Sequence, residues 1–597
     1  MKSLVDLSVD ILRDCGMQCG ANPFRDCITI TRRIENEGIS FLTITLPSFC
    51  RDFERSLDEG FIPPAHFRSF RRKKGTCLPA FLQGFMGMVF NPDGSLLNDP
   101  SSSAIKAIRQ ICLFAKKILL PCTTSREKKA EEAFVKCESD LHSVTYDPVL
   151  LDVYSRVSKI VMNDLLVDFE EFYREIVPRH GPGITTDAGI GNKKFLFPTW
   201  YSRVEKYFPF TEFGIASISN YVDGLSSHPV VFVEPRDEPP VKVVFVPKTM
   251  KTPRVIAIET CGMQYMQQAF ANWIRTRIER PGSLLFGHVN FRDQSINSKL
   301  ALSSSRSQRY ATIDMSEASD RVSSRLVHVA FEHFPEFRKM IFALRSTRAK
   351  LPSGGVIHLK KFASMGSALC FPVESLVFML TLVSARLHIA GRRPSKSAIR
   401  KVIADLHVYG DDLIVPVDEA PSLCKYLESF GLKVNADKSF WTGKFRESCG
   451  TDAYDGEPVT PVYLRYDIPT KRTETQKIVS FIETLNQLYE AGLWGTVKKW
   501  RSHVESLIGK LPTLPNDHPG VGWRSFSQAL SFNGWSDSLQ RLKLRCLVAQ
   551  PARHKDHLTG DPALLKCLAM IGNPNRPTDH LEFSVRRGSL TLKSRWI

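Results

Sequence analysis

Two short apolar runs on either side of a four-residue turn constrain the fold of this chain more than any other feature. The runs are Leu406–Val408 and Leu413–Val415, and the residues between them are Tyr409-Gly410-Asp411-Asp412. A glycine-containing polar turn between strand-like runs predicts a tight β-hairpin. Adjacent carboxylates at its tip repel each other unless a cation lies beside them, and hard oxygen ligands favour Mg²⁺ or Mn²⁺. An ordinary acidic turn is the alternative explanation of these residues.

A second acidic segment lies upstream, at Ala311–Arg321. The apolar residues before Asp314 and the Ser-, Glu- and Ala-rich run after it predict that Asp314 ends a strand and that a helix follows. Two-metal phosphoryl transfer requires carboxylates from different chain segments around cations about 4 Å apart. Asp314 and Asp411 would form such a set if their strands are neighbours. Asp320 has an alternative explanation, because the dipole at a helix amino terminus favours a negative charge.

Short strand-like runs, glycine turns and helical patterns alternate from about Val241 to Tyr463 and predict an α+β fold. With 597 residues, the chain is longer than one hydrophobic core usually holds. The most apolar stretch, from Leu376 to Ile389, contains Arg386. We interpret this stretch as a buried helix that is too short to cross a membrane.

Helical periodicity predicts further elements on both sides of this region. An amphipathic helix is expected from Ile105 to Leu120, with a positively charged face made of Lys106, Arg109, Lys116 and Lys117. After Thr475 the periodicity returns, with one apolar face made of Ile478, Ile482, Leu485 and Leu488. Loop-rich segments at Leu511–Trp523 and Gly572–Pro577 are expected to divide this mostly helical carboxy-terminal unit.

The chain carries a large excess of positive charge, with 80 Lys and Arg against 62 Asp and Glu and a net charge of +18. Such an excess indicates a polyanionic partner, most often nucleic acid, although a basic protein without one is the alternative. The basic run Arg71–Lys74 is predicted to be a solvated surface. The 14 cysteines lack paired C-x-x-C spacing and the amino terminus lacks a secretory apolar core, which favours reduced thiols and a cytosolic setting.

The two acidic segments resemble those of template-dependent polymerases with a right-hand palm, and the Tyr-Gly-Asp-Asp form is typical of RNA-dependent RNA polymerases. Further segments narrow the resemblance to the replicases of the single-stranded RNA bacteriophages, the leviviruses. They occur in the family's order and are Val246–Arg254 with Ile256–Glu259, Asp293–Asn297, Ser364–Gly366 with Glu374–Leu376, and Phe445–Gly450. The resemblance extends from about Val241 to Arg465, is looser from Gly181 to Trp200, and is weak at both ends of the chain.

This resemblance implies an α+β right-hand polymerase. Its palm would be an antiparallel sheet packed on helices, between fingers and a mostly helical thumb. The expected divisions are an amino-terminal region contributing to the fingers (1–170), fingers (171–304), palm with an inserted portion of the fingers (305–475), and thumb with the carboxy-terminal region (476–597).

The resemblance also implies an activity, a cofactor and partners. The family copies an RNA genome from ribonucleoside triphosphates without a primer, by two-metal phosphoryl transfer. Asp314, Asp411 and Asp412 would hold two Mg²⁺ ions, with Mn²⁺ as a substitute. The implied partners are RNA template and product, host translation elongation factors and a ribosomal protein, in the cytoplasm of an infected bacterium and without a membrane.

Further residues receive roles from the same resemblance. Lys248, Lys251 and Arg254 would bind the incoming triphosphate, since arginine offers a rigid fork and lysine a mobile charge; an ordinary solvated basic loop is the alternative. Glu259 is expected to orient one of these cations. Lys438 would protonate or stabilise the departing pyrophosphate. Proton donation would require a lowered pKa, whereas the preceding Asp437 is expected to raise it.

The remaining roles concern the sugar and the neighbouring hairpin. Asp320 and Ser364 would sense the ribose 2′-hydroxyl, and Gly366 would allow a close approach to nucleic acid. The chain departs from many relatives at Ser367 and Ala368, where they have Asn and Gly, which affects the hydrogen bonding of that loop. An ion pair is expected between Arg446 and Glu447, and Cys449 is predicted to be packed.

Two other functions remain open at this stage. A reverse transcriptase shares the palm carboxylates, but the bulky side chain that such enzymes place against the 2′-hydroxyl is not evident after Asp314. A non-catalytic RNA-binding protein with a palm fold is the second alternative. The joint presence of three carboxylates and the basic cluster favours the polymerase.

Overall fold

The predicted hairpin forms two of the three strands of an antiparallel sheet. The structure is a computed structural model, and it describes residues 2–189, 191–222, 230–527, 534–551, 558–571 and 590–597. The predicted loop at Gly572–Pro577 lies outside these residues. We number the helices and strands in chain order.

The first third of the described chain is helical, with a π-helical turn at Phe41–Thr45. Its helices are α1 (Lys2–Cys19), α2 (Phe24–Glu37), α3 (Leu46–Glu59), α4 (Gln83–Met86), α5 (Ser102–Leu113), α6 (Thr124–Ser143) and α7 (Pro148–Leu165).

Short helices and the first strands follow, with 3₁₀ turns at Phe169–Glu171 and Gly191–Leu196. These elements are α8 (Phe172–Glu175), β1 (Thr199–Tyr201), α9 (Ser202–Glu205), α10 (Phe210–Phe213), α11 (Ile218–Val222), β2 (Val231–Val233), β3 (Val241–Val246), β4 (Arg254–Ile258), α12 (Cys261–Ile278) and α13 (Ser295–Ser307).

Strands and helices then alternate, with a 3₁₀ turn at Ala436–Lys438. These elements are β5 (Tyr310–Asp314), α14 (Ala318–Arg321), α15 (Ser324–Ala330), α16 (Pro335–Ala343), β6 (Arg348–Lys350), β7 (Val356–His358), α17 (Cys370–Ile389), α18 (Lys396–Ile403), β8 (His407–Tyr409), β9 (Asp412–Pro416), α19 (Ala420–Ser429), β10 (Phe445–Ser448), β11 (Thr451–Tyr454) and β12 (Glu457–Pro458).

The last described elements include strands that the periodicity did not predict. They are α20 (Thr475–Glu490), α21 (Trp494–Ile508), β13 (Gly534–Ser536), β14 (Arg541–Lys543), β15 (Arg545–Pro551), α22 (Gly560–Ile571) and β16 (Leu590–Trp596). The apolar face predicted for α20 is confirmed, because Ile478, Ile482, Leu485 and Leu488 are all buried. Leu511–Trp523 contains no helix or strand, as predicted.

The central sheet has the strand order β5-β9-β8 and is antiparallel throughout. Its strands are apolar on both faces, and Ile313, Leu413 and Val415 are almost completely buried. A separate four-stranded sheet has the order β4-β3-β6-β7, and β10-β11-β12 form a third. The α+β prediction is therefore confirmed, since small sheets lie among many helices.

Helix α17 packs in the interior, as predicted for the most apolar stretch. It begins at Cys370, close to the start near Pro372 that the sequence indicates, and it contains Glu374 as a buried residue. With 20 residues it is long and apolar enough to cross a membrane, so the expectation that it would be too short is wrong. In its most apolar window, 83% of the residues are buried inside the fold, which confirms a core helix.

Two large hydrophobic cores organise the described chain. The first joins residues from Tyr154 to Leu432 with Leu565 of α22, and it surrounds α17. The second joins residues from Leu4 to Ile118 with residues from Phe440 to Trp523. The amino-terminal helices thus share a core with α20 and α21, although hundreds of residues separate them in the chain. The division into fingers, palm and thumb stays a prediction.

Helix α5 differs from the predicted amphipathic helix in length and charge. It ends at Leu113, and Arg109 is only 1% exposed, not part of a positive surface. The Arg109 guanidinium pairs with Glu54 of α3 and Asp452 of β11, and its Nε donates to the Val459 carbonyl at 3.1 Å. Periodicity placed Arg109 on the polar face, but its partners come from distant segments that surround the helix.

Candidate functional site

The turn between β8 and β9 presents two adjacent carboxylates and requires glycine. Gly410 has φ of +61°, and a Cβ there would lie 2.2 Å from the Phe371 ring. Its amide donates to the Ser375 hydroxyl of α17 at 3.2 Å. Asp411 is exposed at the tip, and Asp412 begins β9. The hairpin prediction is therefore confirmed, and its tip is anchored on the buried helix.

Asp314 ends β5, as predicted, and is the register partner of Asp412 on β9. Directly opposed residues on antiparallel strands place their side chains on the same face of the sheet. Asn435 donates to Asp314 Oδ2 at 2.6 Å, and the Cys449 amide donates to Asp412 Oδ2 at 3.1 Å. The structure thus brings together the two acidic segments that the sequence singled out.

Like charges crowd this part of the site. Burial and the neighbouring Asp411 raise the pKa of Asp412 to about 7. Burial raises the pKa of Asp314, and Asp411 raises it further, while Lys438 acts in the opposite direction. Burial and Asp411 also raise the pKa of Glu374, on α17, to about 8. An added cation would therefore be favoured at this point.

Asp314, Asp411 and Asp412 offer carboxylate oxygens, which suit a hard divalent cation. Carboxylate oxygens are the ligands that Mg²⁺ prefers in proteins. Among the described residues, no group of three or more His, Cys, Asp or Glu side chains is arranged to hold a metal ion. Asp314 and Asp412 are instead held by the partners given above. The chemistry of these donors therefore fits the ion.

Lys438 lies beside the carboxylates, with Nζ 3.6 Å from Asp314 Oδ1 and 3.6 Å from Glu447 Oε1. Glu447 contributes most to raising the pKa of Lys438 above its ordinary value. Burial opposes this effect, and Asp314 and Asp412 raise the pKa further. The expected direction is confirmed but its expected cause is wrong. Asp437 points away and pairs with Arg51 of α3 at 3.2 Å.

The predicted triphosphate-binding cations lie on the loop between β3 and β4 and at its end. Partial burial lowers the pKa of Lys248, and so do the neighbouring charges of Arg254 and Lys438, while Asp411 and Asp314 raise it. Lys248 therefore lies among both the cations and the carboxylates. The pKa of Lys251 is lowered by partial burial and then by Arg51, so this lysine faces the amino-terminal helices.

Asp320 lies on the short helix α14, where its Oδ1 accepts from Lys361 Nζ at 2.7 Å. Ser364 is 5% exposed, and its hydroxyl has no hydrogen-bond partner among the described residues. Gly366 has φ of +125°, and a Cβ there would lie 2.1 Å from the Ala257 carbonyl of β4. The close approach that Gly366 allows is thus to β4, and an approach to RNA stays a prediction.

Comparison with known proteins supports the resemblance of this region. Residues 233–502 match the family model described as RNA replicase, beta-chain. We call these residues the replicase segment; they include all the residues for which the sequence predicted catalytic, nucleotide-binding or metal-binding roles. The resemblance from Val241 to Arg465 is confirmed and extends further at both ends, whereas Gly181–Trp200 lies outside the match.

Individual relatives align over a similar part of the chain. The chain is 35% identical over 277 residues to the RNA-directed RNA polymerase subunit beta of Qbeta virus (strain MX1), covering 46% of this chain and 42% of the relative. It is 34% identical over 264 residues to that of Enterobacteria phage SP, with 43% and 40% covered. It is 33% identical over 223 residues to the RNA-directed RNA polymerase beta chain of Escherichia phage MS2, with 37% of each covered. The chain thus aligns with less than half the length of these relatives.

Two expected contacts within the replicase segment are wrong. Glu259 is buried and accepts from the Ser346 hydroxyl at 2.6 Å, away from the basic loop. Arg446 is also buried and donates to the carbonyls of Tyr310 and Gly443, each at 2.7 Å. Consecutive residues of a strand point to opposite faces, so Arg446 enters the core while Glu447 faces Lys438.

A group of arginines beside Tyr409 was missed by the sequence reasoning. The Tyr409 hydroxyl donates to the Phe291 carbonyl at 3.2 Å, and Arg275 lies 5.9 Å from the centroid of the Phe291 ring. Burial, followed by Arg179, lowers the pKa of Arg275, and Arg292 lowers it further. We call Arg179, Arg275 and Arg292 the arginine group. They are scattered in the chain, and only packing around the replicase segment brings them together.

Proposed function

We propose that the chain is an RNA-directed RNA polymerase that copies an RNA template from ribonucleoside triphosphates and thereby replicates the genome of an RNA bacteriophage. One observation carries the proposal: Asp314 and Asp412 are register partners beside Asp411, within the segment that matches the RNA replicase family. Lys248 and Lys438, next to these carboxylates, supply the positive charge that a triphosphate needs.

The proposed architecture is that of a right-hand polymerase. The β5-β9-β8 sheet and the helices packed on it would be the palm, within residues 305–475. The β3–β4 region would belong to the fingers, within residues 171–304, and residues 1–170 would add to them. Residues 476–597, with α20 and α21, would contain the thumb.

The proposed metal ligands are Asp314, Asp411 and Asp412, holding two Mg²⁺ ions, with Mn²⁺ as a substitute. When bound, the ions would supply Lewis-acid activation of the RNA 3′-hydroxyl and neutralise charge on the reacting phosphates. Lys248, Lys251 and Arg254 would hold and orient the triphosphate. The acidic neighbours of Lys438 keep its ammonium protonated, which suits charge stabilisation of departing pyrophosphate better than proton transfer.

Other residues would recognise the ribose of the nucleotide and bind the RNA backbone. Asp320 and Ser364 would recognise the ribose 2′-hydroxyl, and Gly366 would shape the loop that approaches it. The arginine group would bind backbone phosphates beside Tyr409, since burial lowers the pKa values of Arg179 and Arg275 and a bound anion would favour their charged forms. The net charge of +18 suits RNA as the partner.

The proposed setting is the cytoplasm of an infected bacterium. Host translation elongation factors and a ribosomal protein are proposed partners on the resemblance alone. Adding host extract to the purified chain tests them, because stimulation of RNA synthesis by the extract would support the need for host proteins.

The decisive experiment incubates the purified chain with RNA and Mg²⁺, and with either ribonucleotides or deoxyribonucleotides. The proposal expects polymer from ribonucleotides, either from the chain alone or with host extract, and none from Asp411→Asn. Polymer from deoxyribonucleotides only would identify a reverse transcriptase. RNA binding without synthesis, even with extract, would identify a non-catalytic RNA-binding protein.

A further inference from the structure

Helix α6, in the amino-terminal part of the chain, reaches Asp320 through a fully buried lysine. Lys361 has 0% side-chain exposure, and its Nζ lies 2.7 Å from Asp320 Oδ1 and 3.0 Å from Glu138 Oε1. The same ammonium lies 3.5 Å from the centroid of the Phe134 ring, also on α6. A buried cation persists only when it is paired, so these contacts fix its position.

Other contacts join the same elements. The Cys137 thiol of α6 donates to the Asp320 carbonyl at 3.2 Å, and Arg321 donates to Asp140 at 2.9 Å. Glu138 also accepts from the backbone amides of Lys360 and Lys361. Helix α14 has only four residues and cannot hold its conformation alone. The contacts with α6 therefore stabilise helix α14.

The Asp320 side chain remains open on its other side. The Asp320 side chain is 21% exposed, and its Oδ1 is paired with the buried Lys361 ammonium. A carboxylate held in this way has a set orientation but is still accessible to a ligand.

We propose that Glu138, Lys361 and Asp320, together the α6 bridge, position the Asp320 carboxylate to accept a hydrogen bond from the ribose 2′-hydroxyl of the incoming nucleotide. Helix α6 thereby sets the preference for ribonucleotides over deoxyribonucleotides, with Glu138 and Lys361 as positioning residues. This inference rests on the proposed polymerase function.

The preference for ribonucleotides depends on how rigidly the Asp320 carboxylate is held. A fixed carboxylate accepts a hydrogen bond from the 2′-hydroxyl of a ribonucleotide. A deoxyribonucleotide lacks this donor and leaves the carboxylate unsatisfied, so the site discriminates strongly against it. A carboxylate that can rotate forms a hydrogen bond with water whether a ribonucleotide or a deoxyribonucleotide is bound. The kcat/KM values for the two substrates therefore become more similar. Loss of the bridge should therefore affect sugar discrimination more than the rate of synthesis with ribonucleotides.

The test compares kcat/KM for ribonucleotide and deoxyribonucleotide incorporation on one RNA template, using the full chain with host extract where synthesis requires it. In Glu138→Gln with Lys361→Met, we expect the ribonucleotide preference to fall at least about tenfold. Lys360→Met removes the same charge from the neighbouring exposed position and should change the preference less than about twofold. Lys361→Arg keeps a cation and should retain most of the preference.

The outcomes separate the two proposals. Absence of RNA synthesis by the parent chain would overturn the polymerase function itself. Synthesis by the parent chain, with an unchanged preference in the double variant, would overturn the α6 bridge alone, and an equal loss in Lys360→Met would do the same. If the double variant fails to fold by circular dichroism, Glu138→Gln alone decides: a reduced preference supports the bridge and an unchanged one overturns it.

Discussion

Asp314 on β5 is the register partner of Asp412 on β9, so carboxylates from two distant chain segments lie side by side on one face of a sheet. Neighbouring strands are rigid supports, and the backbone pairing fixes the spacing of these side chains. Asp411, at the adjoining turn, adds a third carboxylate that is exposed.

Asp411→Asn should lower RNA synthesis by a factor of at least about 10², because it removes one proposed metal ligand. The fold should be preserved, since Asp411 is exposed at the tip of the hairpin. Synthesis is measured by nucleotide incorporation, and RNA binding at several salt concentrations serves as the control. Equal loss of binding and synthesis would instead indicate misfolding.

The contribution of Asp412 to the stability of the metal-free protein should fall as pH rises from about 4 to about 7. Burial and Asp411 raise the pKa of Asp412 to about 7. Over this interval the folded state keeps a proton on Asp412 that the unfolded chain, with its ordinary pKa, has already lost. A bound metal requires the ionised carboxylate, so stabilisation by Mg²⁺ should grow over the same interval.

The midpoint of thermal unfolding, with EDTA or with Mg²⁺, measures this effect at acidic and at slightly alkaline pH. Asp412→Asn should remove most of the pH dependence of the Mg²⁺ effect. The same Mg²⁺ stabilisation at both pH values would contradict the prediction.

Arg109→Met should reduce the free energy of unfolding by about 3–5 kcal/mol, because it leaves Glu54 and Asp452 buried without their cation. Lys106→Met, on the exposed side of the same helix, should change it by less than about 0.5 kcal/mol. Denaturant unfolding monitored by circular dichroism compares the two variants. A similar small effect for both would mean that the buried ion pairs contribute little.

Arg292→Ala should weaken RNA binding and reduce the slope of log affinity against log salt by about one, since one proposed phosphate contact is lost. Arg71→Ala removes the same charge from an exposed basic run and should leave the slope nearly unchanged. Binding of a fluorescent RNA at a series of salt concentrations measures both. Identical slopes in the two variants would argue against the arginine group as an RNA contact.

The local features of the site could be predicted from the sequence. The β8–β9 hairpin follows from the alternation of apolar runs and a glycine turn, and Asp314 ends its strand because apolar residues precede it and a polar run follows. The interior position of α17 follows from its uniformly apolar composition. These are properties of short, contiguous segments, and backbone geometry converts them directly into structure.

Tertiary packing alone decided the partners of the charged residues. Arg109 has the spacing of a surface residue, yet segments far away in the chain surround it and supply its carboxylates. Glu447 meets Lys438, not its neighbour Arg446, because the strand turns their side chains to opposite faces. Glu138 and Lys361 meet only where α6 packs against α14. Such contacts depend on which surfaces of the folded chain face each other, and the periodicity of a single segment carries no information about that.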